Sequence, residues 1–80
     1  MPEEMGAFVK DLRRELAMTQ EEFAHQLGIT VGTVNRWENG RFRPSKLARA
    51  SILDFAAKHG ISVGPNMRLI NNRAATSPGT

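Results

Sequence analysis

The chain has 80 residues, 40% apolar and 24% charged, with no cysteine and a formal net charge of +3. Such a length makes one small domain with a thin core, and the missing cysteines exclude disulfides and cysteine-based zinc as supports. Both histidines stand far from any second ligand in sequence, so no metal or other cofactor is expected. No apolar run approaches the roughly 18 residues that a membrane span needs. Glu3 and Glu4 occupy the place where a signal peptide would carry its basic lead, so none is expected, and the expected location is the cytoplasm.

Residues 1–22 hold three basic residues against six acids, net −3, while residues 23–80 hold eight against two, net +6. Five of those eight, Arg36, Arg41, Arg43, Lys46 and Arg49, fall within fourteen residues. A focus of this kind is the electrostatic footprint of a phosphate-binding edge. A solvated basic loop is the plainer alternative.

The spacing predicts a first helix from Pro2 to Ala17. Proline suits a first turn, and Glu3 and Glu4 suit the positive end of the helix dipole. Met5, Val9, Leu12 and Leu16 form its apolar stripe. Arg13 interrupts that stripe, and a buried guanidinium needs a carboxylate partner. Glu38 is a candidate; the alternative is that Arg13 reaches solvent over its own aliphatic stem. Met18 bridges to the next helix.

The stretch Thr19–Arg41 reads as two short helices joined by a tight turn. Thr19 with Glu22 makes a capping box, Phe23, Ala24 and Leu27 share a face, and Gly28 supplies a left-handed stop. Ile29 is expected to point inward. Thr30 caps a second helix that runs to about Glu38, with Val34 and Trp37 as its apolar pair. Asn39-Gly40 ends it. Each helix has about two turns, too few to be stable alone, so they must pack on one another and on their flanks. A pair of this kind, with the second helix presented outward, has the form that enters a DNA major groove. Trp37 is read as core through its spacing from Val34, not as a base-stacking platform.

After a loop over Arg41–Arg43, a fourth helix starts at Ser45 or Arg43, with Pro44 tolerated in its first turn, and runs to about His59 before Gly60. Ala48, Ile52, Phe55 and Ala56 are its core residues. Leu47, Leu53 and Ala57 lie off that stripe and suit either a dimer contact or scattered exposure. Residues 61–72 are apolar in part but broken by Gly64-Pro65, which leaves a short extended segment or a poorly formed last helix. Residues 73–80 are expected to be a disordered tail, so residues 1–60 form the working domain. His25, Ser45, Ser51 and His59 make no nucleophile–base pattern, and no Gly-rich phosphate loop is present. An enzyme is not expected.

The patterns T-Q-E-E-F-A, L-G-I-T and V-N-R-W-E-N-G between Met18 and Gly40 resemble the Cro/C1-type helix-turn-helix, or XRE, family, and the likeness covers about residues 5–60. It implies an all-α, lambda-repressor-like domain of four or five helices. It further implies a sequence-specific regulator of double-stranded DNA, a repressor acting as a homodimer on palindromic sites. By the same resemblance Gln20 touches the DNA backbone and Ala24 is the small residue where the two helices cross. Arg13 and Glu38 form a buried pair. Val31, Gly32, Thr33, Asn35 and Arg36 face the bases, and Asn39, Arg41 and Arg43 grip phosphates. Thr30 and Lys46 complete the expected DNA-binding set.

Arg36 is the foremost base reader, since a guanidinium can bond guanine O6 and N7 together; a phosphate contact is its alternative role. Gly32 departs from the family pattern: either the helix approaches the bases unusually closely there, or that position reads nothing. Gly64-Pro65-Asn66 puts a regular fifth helix in doubt, and with it the mode of dimerisation. The family also contains antitoxins that bind a toxin protein and repress their own operon, and residues 61–72 are the candidate toxin-binding segment. It contains controllers of restriction–modification systems as well.

Overall fold

A computed structural model describes residues 4–72. Four helices come in order, α1 (Glu4–Glu15), α2 (Gln20–Leu27), α3 (Val31–Glu38) and α4 (Lys46–Lys58). They are followed by strand β1 (Ile61–Val63), a 3-10 turn at Pro65–Met67 and strand β2 (Leu69–Asn71). The expected helix start at Pro2 and the expected tail at 73–80 lie outside the described residues.

Helix α1 buries Met5, Phe8, Val9 and Leu12. Spacings of three and four put these side chains on one face, and Phe8 belongs to that face although the stripe read from the sequence omits it. The helix ends where Ala17 adopts φ 55°, a left-handed conformation that turns the chain toward α2. Met18 N then donates to Arg13 O at 2.9 Å.

Local signals set the ends of the next three helices. Thr19 Oγ1 accepts from Glu22 N at 3.0 Å while Thr19 N donates to Glu22 Oε1 at 2.8 Å. Gly28 closes α2 at φ 70°, its N–H bonded to carbonyls of the last turn. Thr30 caps α3 through Thr33 N, and Ser45 caps α4 through Ala48 N. Pro44 therefore precedes the cap of α4 instead of occupying its first turn, and Arg43 does not start the helix.

The core gathers one face from each helix. Phe23 and Ala24 of α2, Val34 and Trp37 of α3, and Ile52, Phe55 and Ala56 of α4 join the α1 residues, with Ile61 of β1 beneath them. Phe23 meets Phe55 edge-on with ring centroids 5.6 Å apart, a favoured arrangement for an aromatic pair. Leu16, Met18, Leu27, Ile29, Ala48 and Leu53 pack around its margin. Leu47 stays 78% exposed.

The all-α expectation, with its possible fifth helix, is corrected by residues 61–72. Strands β1 and β2 pair antiparallel with Ile61 opposite Asn71, Ser62 opposite Ile70 and Val63 opposite Leu69. Gly64-Pro65 forbids a helix here but suits the connection: Gly64 N donates to Arg68 O at 2.7 Å, and Asn66 and Met67 take positive φ. A hairpin this small needs other elements to stabilise it. Ile61 supplies the anchor to the core, Asn72 N donates to Gly60 O at 2.7 Å, and Asn71 Nδ2 donates to the Glu15 carboxylate at the end of α1.

Candidate nucleic-acid interface

Helix α3 has two unlike faces. Val34 and Trp37 are buried, while Val31, Asn35 and Arg36 are exposed. Gly32 and Thr33 lie half-buried between them. The exposed side runs on through Asn39, Arg41, Phe42 and Arg43, all exposed, to Lys46 at the start of α4. The outer side of α3, the loop after it and the start of α4 thus follow one another on exposed positions of the chain.

The buried side of α3 is held at its C-terminal end. Arg13 Nε and Nη2 reach Glu38 Oε2 and Oε1 at 2.8 and 3.0 Å, a two-pronged pair, and Arg13 Nη1 donates to Met18 O at 3.0 Å. The Glu38 side chain is 2% exposed and that of Arg13 18%. Burial pushes the Glu38 carboxyl up, but bonds from Arg13 and Gln20 and the charges of Arg13 and Lys10 outweigh it, so the carboxyl titrates below the usual range. Arg13 is raised, first by its bond to Glu38, against the opposing effect of burial.

This pair begins a line of polar contacts that surfaces on the outer face. Gln20 Nε2 donates to Glu38 Oε1 at 3.1 Å. Gln20 Oε1 accepts a long bond from Asn35 Nδ2 at 3.4 Å, and Asn35 Oδ1 accepts from Asn39 Nδ2 at 3.0 Å. Gln20, at the first position of α2, is thereby held beside α3, and Asn35 is held between Gln20 and Asn39. Thr30 and Thr33 are occupied with each other, their hydroxyls 2.9 Å apart.

At the N-terminal half of α3 a backbone gap governs a side chain. A Cβ built on Gly32 would stand 3.5 Å from Arg36 Nη1 and 4.0 Å from Nη2. The Arg36 guanidinium therefore lies back over the first turn of the helix, one turn before its own Cα. It also lies over the ring of Phe42, with Cζ 5.3 Å from the centroid. Phe42 is not among the residues that sequence reasoning selected. The signal that was there is an aromatic between two arginines, R-F-R, in a loop.

A second close approach anchors α3 to α1. A Cβ on Gly6 would fall 2.1 Å from Trp37 O, so the α1 backbone crosses the last turn of α3 with no room for any side chain. Among the described residues no group of His, Asp or Glu is arranged to hold a metal ion, and no helix is long and apolar enough to cross a membrane.

Two short helices at a tight glycine turn, the first supporting and the second bare on one side, define a helix-turn-helix protein. Residues 9–48 match the family described as Helix-turn-helix, and the chain belongs to the XRE-type helix-turn-helix family of DNA-binding proteins. It is 39% identical over 51 residues to an uncharacterized HTH-type transcriptional regulator of Methanothermobacter thermautotrophicus, covering 58% of this chain and 74% of that protein. To the ImmF control region 10 kDa protein of Bacillus phage phi105 it is 41% identical over 51 residues, 61% of this chain and 57% of that one. It is also 36% identical over 58 residues to the type II methyltransferase M.SsoII of Shigella sonnei, covering 69% of this chain. The matches to that enzyme and to the Lactococcus lactis methyltransferase M1.ScrFI span only 15% and 14% of their lengths. No solved structure matches the chain significantly.

Proposed function

We propose that the chain is a sequence-specific transcriptional regulator that binds double-stranded DNA with α3 in the major groove and represses by occupying an operator. The observation that carries this reading is the division of α3. Its Val34 and Trp37 side is locked into the core, and its Val31, Asn35 and Arg36 side is bare and continues into a basic loop. In this reading Arg36 bonds a guanine edge, Val31 and the Thr33 methyl touch thymine methyls, and Gln20, Asn39, Arg41, Arg43 and Lys46 contact the backbone. Thr30 caps the helix at the groove. Phosphate contacts supply affinity and base edges supply preference. Two copies read a palindrome, one half-site each.

Selection of bound DNA from a random duplex pool tests the proposal, and half-site symmetry in the product reports the dimer. Arg36→Ala flattens preference at one base pair, a loss of roughly 1–3 kcal/mol of discrimination. Arg41→Ala and Arg43→Ala weaken all sequences alike and each lower the salt slope by about 1. Equal losses on selected and random DNA for Arg36→Ala refute the role given to Arg36. Transcription in vitro from a promoter overlapping the selected site falls on adding the protein; a rise overturns repression.

The relative named as a phage control region protein and the HTH-type transcriptional regulator support a regulatory role. The two methyltransferase relatives favour a second reading, control of restriction–modification genes, which binding to DNA upstream of a neighbouring methyltransferase gene would support. A third reading, an antitoxin that also represses its own operon, would place the toxin contact on residues 61–72, which form a hairpin against α1 and α4; co-purification with the product of a neighbouring toxin gene would support it.

A further inference from the structure

We infer that Gly32 and Phe42 together form a seat that orients Arg36 before DNA arrives, and that Arg36 thereby reads the base pair that position 32 would otherwise face. The inference rests on the proposed base-reading role of Arg36 and deepens it.

Three observations converge. First, an exposed arginine on a helix samples many rotamers, yet this guanidinium lies over the bare backbone of Gly32, one turn toward the N-terminus, in space that a longer side chain would occupy. Second, the guanidinium lies over the Phe42 ring, its Cζ 5.3 Å from the centroid, within the range of an attractive cation–π contact. Third, the ring is placed there by the backbone of the same arginine: Arg36 O accepts from Arg41 N at 2.9 Å and from Phe42 N at 3.3 Å. The loop that follows α3 is thus folded back on Arg36 itself, and main-chain bonds hold the Phe42 backbone beside it.

The consequence is a change of register in the readout. Cβ atoms at 32 and 36 sit one above the other on a helix. With position 32 empty, the arginine from 36 fills that place and projects its donors from there. A planar donor held in one orientation loses less freedom on bonding a base edge, so the seat sharpens preference without adding a contact to DNA. Phe42 is a positioning residue in this scheme. It is 56% exposed and outside the core, so its removal leaves the fold intact.

The test compares Phe42→Leu, Gly32→Gln, Arg36→Ala and the double variant Arg36→Ala/Phe42→Leu on the selected site and on single-base-pair variants of it. Phe42→Leu keeps apolar bulk and charge but loses the ring face. It lowers discrimination at the pair read by Arg36 by about two- to five-fold, the worth of an exposed cation–π contact, and leaves the salt slope unchanged. Gly32→Gln fills the seat and changes which base is preferred. In the double variant Phe42→Leu adds nothing to Arg36→Ala.

If Arg36→Ala itself leaves the preference intact, the base-reading role fails and the seat falls with it. If Arg36→Ala flattens preference but Phe42→Leu does not, or if Phe42→Leu weakens the double variant further, the base-reading role stands and the seat is overturned.

Discussion

Replacing Arg13 with methionine measures how firmly α3 is tied to α1. The change removes both bonds to a carboxylate whose side chain is 2% exposed and leaves Gln20 Nε2 as its remaining donor. Breaking a buried pair on one side costs about 3–5 kcal/mol, mostly from the charge left behind. Arg13 is 18% exposed, so water reaches one edge of the pair, and the lower end, about 3 kcal/mol, is expected. For a domain of this size each kcal/mol shifts Tm by roughly 4–8 °C, so Tm falls by about 12–24 °C. The pH dependence has a definite sign. In the parent protein the Glu38 carboxyl is depressed, so its stabilisation is fully present above its unfolded-state pKa and is lost as pH falls through the folded value. In Arg13→Met, burial acts without the guanidinium and raises the same carboxyl, so acid relieves the variant. The gap between the two proteins therefore narrows from neutral pH down through the carboxylate range. Arg13→Met/Glu38→Leu recovers most of the loss, since an apolar replacement of the whole pair is neutral or better. Urea unfolding followed by Trp37 emission, at several pH values, reads all three. A neutral-pH gap below about 1 kcal/mol, the worth of a surface pair, or a gap that ignores pH, refutes the reasoning.

Gly6→Ala drives a methyl into the Trp37 carbonyl and costs about 1–3 kcal/mol as overpacking; it also weakens DNA binding beyond the stability loss, because α3 must move, and a wild-type melting curve would contradict the contact. Gly32→Ala raises stability by about 1 kcal/mol, the helix-propensity difference, because a methyl there finds 3.5 Å of clearance; thermal melting checks it. Thr19→Ala removes the capping box and costs about 1 kcal/mol, seen in the same melts. Trp37, 4% exposed, emits at blue-shifted wavelength in the free protein, and a fully solvated maximum would contradict its place in the core.

The helix-turn-helix was legible because its signals are local. Thr19 with Glu22, Gly28 and Thr30 each act within four residues, and the caps, the turn and the limits of α3 follow from them. The pair from Arg13 to Glu38 was half legible: a charge on an apolar stripe demands a partner, but periodicity does not say which carboxylate lies across the fold. The hairpin was not legible as such. Three-residue strands are too short for alternation to show, and their pairing is set by Ile61 on α4 and by Asn71 at the end of α1, contacts 56 residues apart in the second case. Gly64-Pro65 correctly argued against a helix without naming what would replace it.

Two glycines inside helices show what local rules miss and how to use the miss. Each is unfavourable by about 1 kcal/mol against alanine on propensity alone, and a chain that keeps such a residue in a short helix has its reason in a neighbour. At Gly6 the neighbour is backbone, the Trp37 carbonyl, and a methyl fits only if α3 moves. At Gly32 it is the mobile end of Arg36, and a methyl still fits. The same sequence anomaly thus has opposite consequences, one fixing the angle at which α3 is presented, the other leaving room for the side chain it presents. Alanine at each position separates them by the sign of the stability change alone, before any DNA is added.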